Sequence, residues 1–217
     1  MSLPVWEPGA HIEVVLPSAQ VLRYALCGSP LQTDGWRIAV PRTSGRGRTA
    51  DWLDEHAWVG FELRVRGPFN DFPLYPAPHY LFVAHGIGIA PLLPMVARAD
   101  ASGADWSLLY GGRSRPAMAF LSELLHYRER VVIWPEDRYG PLGLAGFLGD
   151  PAPSTLVYCC GTGELLTTVQ DYCAAWQPGA LHLRESALRT TPGTDERDEL
   201  PAVPRIGRGP RATGHRS

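Results

Sequence analysis

The sequence contains no lysine: all 20 basic residues are arginine. We read this as genome composition rather than function, because 20 basic against 22 acidic residues leave a net charge of only −2. So even a balance argues against nucleic acid as the main partner. No apolar run approaches the roughly 18 residues that cross a bilayer, which argues against a membrane partner. The N-terminus has no basic stretch leading into an apolar one, so no secretory signal is legible, and the expected location is the cytoplasm. Cysteine is scarce, with only Cys27, Cys159, Cys160 and Cys173. No Cys-x-x-Cys or Cys-x-x-x-x-Cys-x-x-Cys spacing exists among them, so zinc and iron–sulfur centres have no ligand set and no metal site is expected. Cys159 and Cys160 would point to opposite faces of a strand, which makes them poor joint ligands.

What is present is a chain of 217 residues, 45% hydrophobic, enough for two small domains or one large one. Residues 1–75 read as short strands separated by Gly, Pro and Asp turns, the pattern of a small antiparallel barrel. Ile12, Val14 and Leu16 alternate with His11, Glu13 and Val15. Further strands are expected over 21–27, around Trp36, Ile38 and Val40, and over 61–66. A helix over 49–56, with Thr49 as N-cap, follows a glycine-rich basic loop containing Gly45 and Gly47. Over residues 78–184 the pattern changes to alternating strands and helices, which implies a mostly parallel α/β sheet. Strands are expected over 80–84, 106–110, 130–134, 155–160 and 181–183, with helices over 91–98, 116–127 and 163–176. The apolar stripe of the last helix (Leu165, Leu166, Val169, Tyr172, Cys173, Trp176) is core packing. Residues 185–217, rich in Pro, Gly, Arg and charge, bury too little to offset their ordering entropy and read as a disordered tail.

The chain is organised around the strand ending at Ala84-His85 and the turn Gly86-Ile87-Gly88, with a helix opening at Pro91. Gly86 and Gly88 let a ligand approach the backbone, and N–H groups at a helix start favour a phosphate. Proline suits a first helical position. An ordinary tight turn explains the same residues, because the third glycine of the dinucleotide fingerprint is absent. In doubly wound sheets ligands sit at the carboxyl ends of strands. Those ends carry Gly111-Gly112-Arg113-Ser114-Arg115, Glu136-Asp137-Arg138 and Cys160-Gly161. Arg113 and Arg115 suit phosphates or an adenine face, and Asp137 suits ribose hydroxyls.

Seven motifs in order resemble the phthalate dioxygenase reductase and vanillate demethylase reductase group of the ferredoxin–NADP reductase superfamily. They are Trp6-Glu7-Pro8-Gly9-Ala10-His11-Ile12, Leu22-Arg23-Tyr24-Ala25-Leu26-Cys27, Gly45-Arg46-Gly47-Arg48-Thr49, Gly67-Pro68-Phe69-Asn70-Asp71-Phe72-Pro73, Ala84-His85-Gly86-Ile87-Gly88-Ile89-Ala90-Pro91, Tyr110-Gly111-Gly112-Arg113-Ser114-Arg115 and Val157-Tyr158-Cys159-Cys160-Gly161. The resemblance implies a flavin barrel followed by a nicotinamide domain, with hydride transfer from NADH to FMN (alternatively FAD). Electrons would then pass to an iron–sulfur protein or oxygenase component. It implies that Arg23, Tyr24, Ala25 and Leu26 bind the flavin, and that Gly45, Gly47 and Thr49 hold its phosphate. Gly86, Ile87, Gly88 and Pro91 would form the pyrophosphate turn, Arg113, Ser114, Arg115 and Asp137 would continue the nucleotide cradle, and Cys160 and Gly161 would border the nicotinamide.

The chain departs from the family in four places. Ala25 replaces a serine, removing a hydrogen bond worth about 0.5–1.5 kcal/mol net. His85 stands at a family glycine. The family's C-terminal 2Fe–2S domain has no counterpart here, and the sequence starts five residues before Trp6, so the barrel is expected to be N-terminally short, with an open edge, and electrons to leave through a separate ferredoxin. Two other readings remain: a truncated remnant that binds dinucleotide without productive flavin, and a partner-binding module working through the arginine-rich tail.

Overall fold

Strands with one apolar face and strands apolar on both faces demand different partners, and the chain contains both kinds. The computed structural model describes residues 3–41, 53, 56, 58–186 and 190–192. The first sheet is antiparallel: β1 (His11–Val15), β2 (Gln20–Ala25), β3 (Arg64–Phe69) and β9 (Thr190–Pro192), in the order β3-β1-β2-β9. One face packs Ile12, Val14, Leu22 and Tyr24 with Trp6, Leu26 and Leu53.

The second sheet is parallel: β4 (His79–His85), β5 (Asp105–Gly112), β6 (Val131–Pro135), β7 (Thr155–Gly161) and β8 (Leu181–Glu185), in the order β6-β5-β4-β7-β8. Its helices are α1 (Ile89–Ala101), α2 (Leu121–Leu124), α3 (Glu136–Tyr139), α4 (Leu144–Leu148) and α5 (Gly163–Tyr172). The sheet is covered on both sides. Phe82, Trp106, Tyr110 and Cys160 pack with α1 on one face, and Val83, Leu109, Cys159 and Val169 form the other cluster. Cys159 and Cys160 thus face apart, as adjacent strand residues must.

The expected pairing of an antiparallel module with a parallel α/β module is present, but several local expectations are corrected. Among the described residues the first module is an open four-stranded sheet, as an incomplete barrel with an open edge would give. The strand expected around Trp36 to Val40 shrinks to one bridge, Leu26 with Ile38. The strand expected over 61–66 instead runs from Arg64 through Gly67-Pro68 to Phe69. The helix expected over 49–56 lies mostly outside the described residues, although Leu53 and His56 are helical and Leu53 is buried. Thr190–Pro192, expected in a disordered tail, pairs with Gln20–Leu22: the free edge of β2 supplies backbone partners, and two β-branched threonines suit a strand.

In the second module, α1 begins at Ile89 rather than Pro91, because a 3-10 turn over Gly86–Gly88 leads directly into it. Pro91 is therefore the third helical residue. The helix expected over 116–127 is broken. The Tyr110 hydroxyl accepts from the Ala119 N–H at 3.1 Å, which diverts that donor from a helical bond, and Phe120 turns left-handed at φ 61°.

The segment joining the modules is pinned at both ends. The Asn70 side-chain amide donates to the Pro8 carbonyl at 3.2 Å. The buried Tyr158 hydroxyl donates to the Pro73 carbonyl at 3.0 Å and accepts from the Tyr75 N–H at 2.8 Å. Gly9, at φ 96°, is required because a Cβ there would lie 1.8 Å from the Phe72 carbonyl oxygen. Arg37 adds a two-pronged ion pair to Glu123 on α2, at 2.9 and 2.8 Å.

Candidate functional site

Strand order in the parallel sheet runs outward from β4 in both directions, so β4 and β7 flank the point where the order reverses. Their carboxyl ends are the expected ligand position. Ala84 pairs with Cys160 there. On the antiparallel sheet, β1 and β2 align His11 with Ala25 and Glu13 with Arg23. These four residues share the face opposite the module's core, by the two-residue period of a strand. The two surfaces meet in a cleft of about 250 Å³, lined by Arg23, Tyr24 and Ala25 on one side and by Ile87, Pro91 and Cys160 on the other.

The cleft side of β2 is set for charge. Arg23 Nε donates to Glu13 Oε1 at 3.0 Å, and among the described residues its two terminal nitrogens have no partner. Tyr24 is packed with Ile12 in the core, and its buried hydroxyl has no hydrogen-bond partner. Burial pushes that phenol up to about 12, so it stays protonated. Cys160 is 1% exposed. Burial raises its thiol to about 12, with the Arg184 charge pulling weakly the other way. It is a neutral wall of the cleft, not a nucleophile.

Sequence reasoning gave no role to five polar residues that also line the cleft: His11, Asp71, Arg184, Glu185 and Ser186. His11 is expected on the solvent side of β1, yet it is 3% exposed. It keeps its place on the face opposite the core and is covered there by Asp71 and Arg184, which line the same cleft. His11 Nδ1 is buried without a hydrogen-bond partner, 3.5 Å from Asp71 Oδ1. Burial lowers the imidazole's pKa and Arg184 lowers it further, against the opposing pull of Asp71. Asp71 is ion-paired and hydrogen-bonded to Arg184. Its carboxyl lies below the usual value because Arg184 outweighs the upward push of burial. Arg184 and Glu185 could have been found by extending the strand-tip rule to the last strand.

The other expected residues are dispersed. Leu26 is fully buried in the module's core, away from the cleft. Gly45, Gly47 and Thr49 lie outside the described residues. Gly88 has a packing reason of its own: a Cβ on it would lie 2.1 Å from the Cys160 carbonyl oxygen, so it allows α1 to abut β7. Gly86 at φ 55° faces open space, whereas a Cβ on Gly161 would meet Leu165 at 2.6 Å. Arg113, Ser114, Arg115 and Asp137 stand outside the cleft, at the tips of β5 and β6. There the Asp137 N–H donates to the Arg113 carbonyl at 3.0 Å. His85 Nε2 lies 3.2 Å from Glu136 Oε2 at those tips. Among the described residues no group of three His, Cys, Asp or Glu could hold a metal ion. None of their helices is long and apolar enough to cross a membrane.

No family model matches the chain. Individual proteins do. It is 36% identical to the phenoxybenzoate dioxygenase subunit beta of Ectopseudomonas oleovorans, over 89% of this chain and 61% of that protein. It is 35% identical to the vanillate O-demethylase oxidoreductase of Pseudomonas putida, over 83% of this chain and 59% of that protein. A solved phthalate dioxygenase reductase, described as a modular structure for electron transfer from pyridine nucleotides to a [2Fe–2S] centre, superposes with a TM-score of 0.77 at 33% identity, over 85% of this chain and 60% of that one. The chain thus spans about three-fifths of the length of these relatives. Over that span, in sequence and in the order of its two sheets, it is similar to the phthalate dioxygenase reductase group.

Proposed function

We propose that the chain is the flavin- and nicotinamide-binding part of an NADH-dependent oxygenase reductase, with residues 1–75 holding the flavin and 78–184 the nucleotide. The observation that carries this is the cleft in which Arg23, Tyr24 and Ala25 of β2 face Cys160 at the point where the parallel sheet reverses order. The cleft fits a flavin: its volume of about 250 Å³ suits one ring system, His11 Nδ1 is an orphaned polar atom on a lining residue, and Arg23 has free donors.

A bound flavin supplies the chemistry of accepting a hydride from a dihydronicotinamide and releasing electrons singly. The protein's own part is placement. Arg23, steadied by Glu13, pairs with the flavin phosphate. Ala25 keeps only its backbone donor for the ring. Ile87, Pro91 and Cys160 form an apolar wall that seats the nicotinamide and keeps water out. Arg113, Ser114, Arg115 and Asp137, at the tips of the strands beyond β4, take the adenosine end. No side chain need gain or lose a proton, so orientation is the main contribution.

We assign FMN rather than FAD on the family resemblance, with the Gly45-Arg46-Gly47-Arg48-Thr49 loop as the phosphate holder. The electron acceptor is an oxygenase component or a separate 2Fe–2S ferredoxin, as the family resemblance and the electron path of the solved relative suggest. The test is to purify the full chain, titrate it with FMN and with FAD by flavin fluorescence, and then follow NADH-dependent ferricyanide reduction. Saturable one-to-one FMN binding with turnover is expected. A chain that binds neither flavin, or binds one without turnover, would leave the truncated dinucleotide-binding remnant as the answer.

A further inference from the structure

One pair of charges in the cleft has no part in the placement just described. Asp71 lies in the turn after β3, on the first module, and Arg184 near the carboxyl end of β8, on the second. They are ion-paired across the cleft. The Arg184 side chain is 19% exposed, and its guanidinium carbon stands 6.0 Å from the Phe72 ring. The other cleft cation, Arg23, is matched by Glu13 on the neighbouring strand of its own sheet, at 3.0 Å. Arg184 and Asp71 are therefore charges from opposite modules that pair across the cleft, with Glu185 beside Arg184 on the second. His11 stands beside them with its unpartnered Nδ1.

We propose that Arg184 and Asp71 act as an opposed pair that sets the redox potential of the flavin in this cleft, Arg184 favouring the reduced ring and Asp71 restraining it. The proposal rests on the flavin reading above. Its physical basis is that a reduced flavin carries more negative charge than an oxidised one. A cation beside the ring then binds the reduced form more tightly, and its counter-ion offsets that preference. In a half-buried site with low effective dielectric such charges are felt over several ångströms.

A purely mechanical latch between the modules makes a different prediction. Asp71→Asn and Arg184→Gln break the same contact, so a latch responds to both in the same direction. Charge acting on the ring responds in opposite directions, and the double variant returns toward the starting value. Arg184→Lys, which keeps the charge but loses the planar fork, separates the two roles again.

The experiment is dye-equilibration potentiometry on the full chain loaded with FMN, for the wild type, D71N, R184Q, R184K and D71N/R184Q. D71N is expected to raise the midpoint and R184Q to lower it. Each should change the ratio of reduced to oxidised affinity about tenfold, which for a two-electron couple is about 30 mV. The double variant and R184K should stay near the wild type. Shifts of the same sign, or none, overturn the proposal while leaving the flavin reading intact if FMN still binds. A chain that takes up no FMN overturns both. Should R184Q fail to fold, D71N decides: a rise with R184K unmoved supports the pair, and a fall or no change overturns it.

Discussion

Gly88 has ordinary right-handed backbone angles, φ −58° and ψ −13°, so alanine there would meet no conformational strain. Its obstacle is steric. A Cβ would lie 2.1 Å from the Cys160 carbonyl oxygen, 2.6 Å from the carbonyl carbon and 3.1 Å from the Gly161 nitrogen, where ordinary contact is 3.4–4 Å. The obstructing atoms are backbone of a central strand, so no rotamer can yield. The start of α1 must move away from the tip of β7 by more than an ångström. Overpacking a core costs about 1–3 kcal/mol, and a rigid backbone obstacle places Gly88→Ala near the top, at about 3 kcal/mol. For a chain of this size that corresponds to a fall in Tm of roughly 6–12 °C. Gly86→Ala is the control: φ is 55° with no atom within 4 Å, so only the left-handed backbone cost of about 1–2 kcal/mol applies. Urea unfolding of the two variants measures the difference. If G88A is no less stable than G86A, the close abutment of α1 on β7 is wrong, and with it the geometry given for the cleft wall.

Tyr158→Phe removes the hydroxyl that joins Pro73 to Tyr75 and leaves a backbone N–H unpartnered, so a loss of about 1–3 kcal/mol is expected in urea unfolding. Arg37→Ala breaks a pair whose side chains are 50% and 41% exposed; no more than about 1 kcal/mol should be lost, and less at high salt. Arg23→Gln should weaken FMN binding about 10–100-fold, the worth of a charged hydrogen bond, while riboflavin, which lacks the phosphate, binds as before in fluorescence titrations. His11 is held neutral below its ordinary value, so the unfolded chain binds the extra proton first. Stability should fall as pH drops below about 6.5, and His11→Asn should flatten that limb of the urea midpoint against pH. Asp71 has a depressed carboxyl, so its contribution is present above about 3.9 and lost only as pH falls further.

The parallel sheet was legible because β4, β5 and β7 are nearly continuous apolar runs separated by helical stripes, and their tips located Cys160, Ile87 and Pro91. Local detail failed where a tertiary partner overrode the pattern. Tyr110 captured the Ala119 N–H inside an otherwise helical stretch, and the free edge of β2 ordered Thr190–Pro192. In the sequence, glycines at strand tips suggest room for a ligand. At Gly88, Gly111, Gly112 and Gly161 the space is filled by the protein itself, by Cys160, Leu142, Met118 and Leu165 respectively. Sequence cannot separate these cases, since both demand a missing Cβ. The Asp71–Arg184 pair was invisible for a simpler reason: 113 positions separate its members, and only the docking of the two modules brings them together.

The central claim is that one cleft brings a flavin and a pyridine nucleotide into hydride-transfer contact. Anaerobic titration of the FMN-loaded full chain with NADH tests it most directly. Loss of the visible flavin absorbance, complete at one equivalent of NADH, is predicted. Bound FMN that keeps its oxidised spectrum in the presence of excess NADH would contradict it.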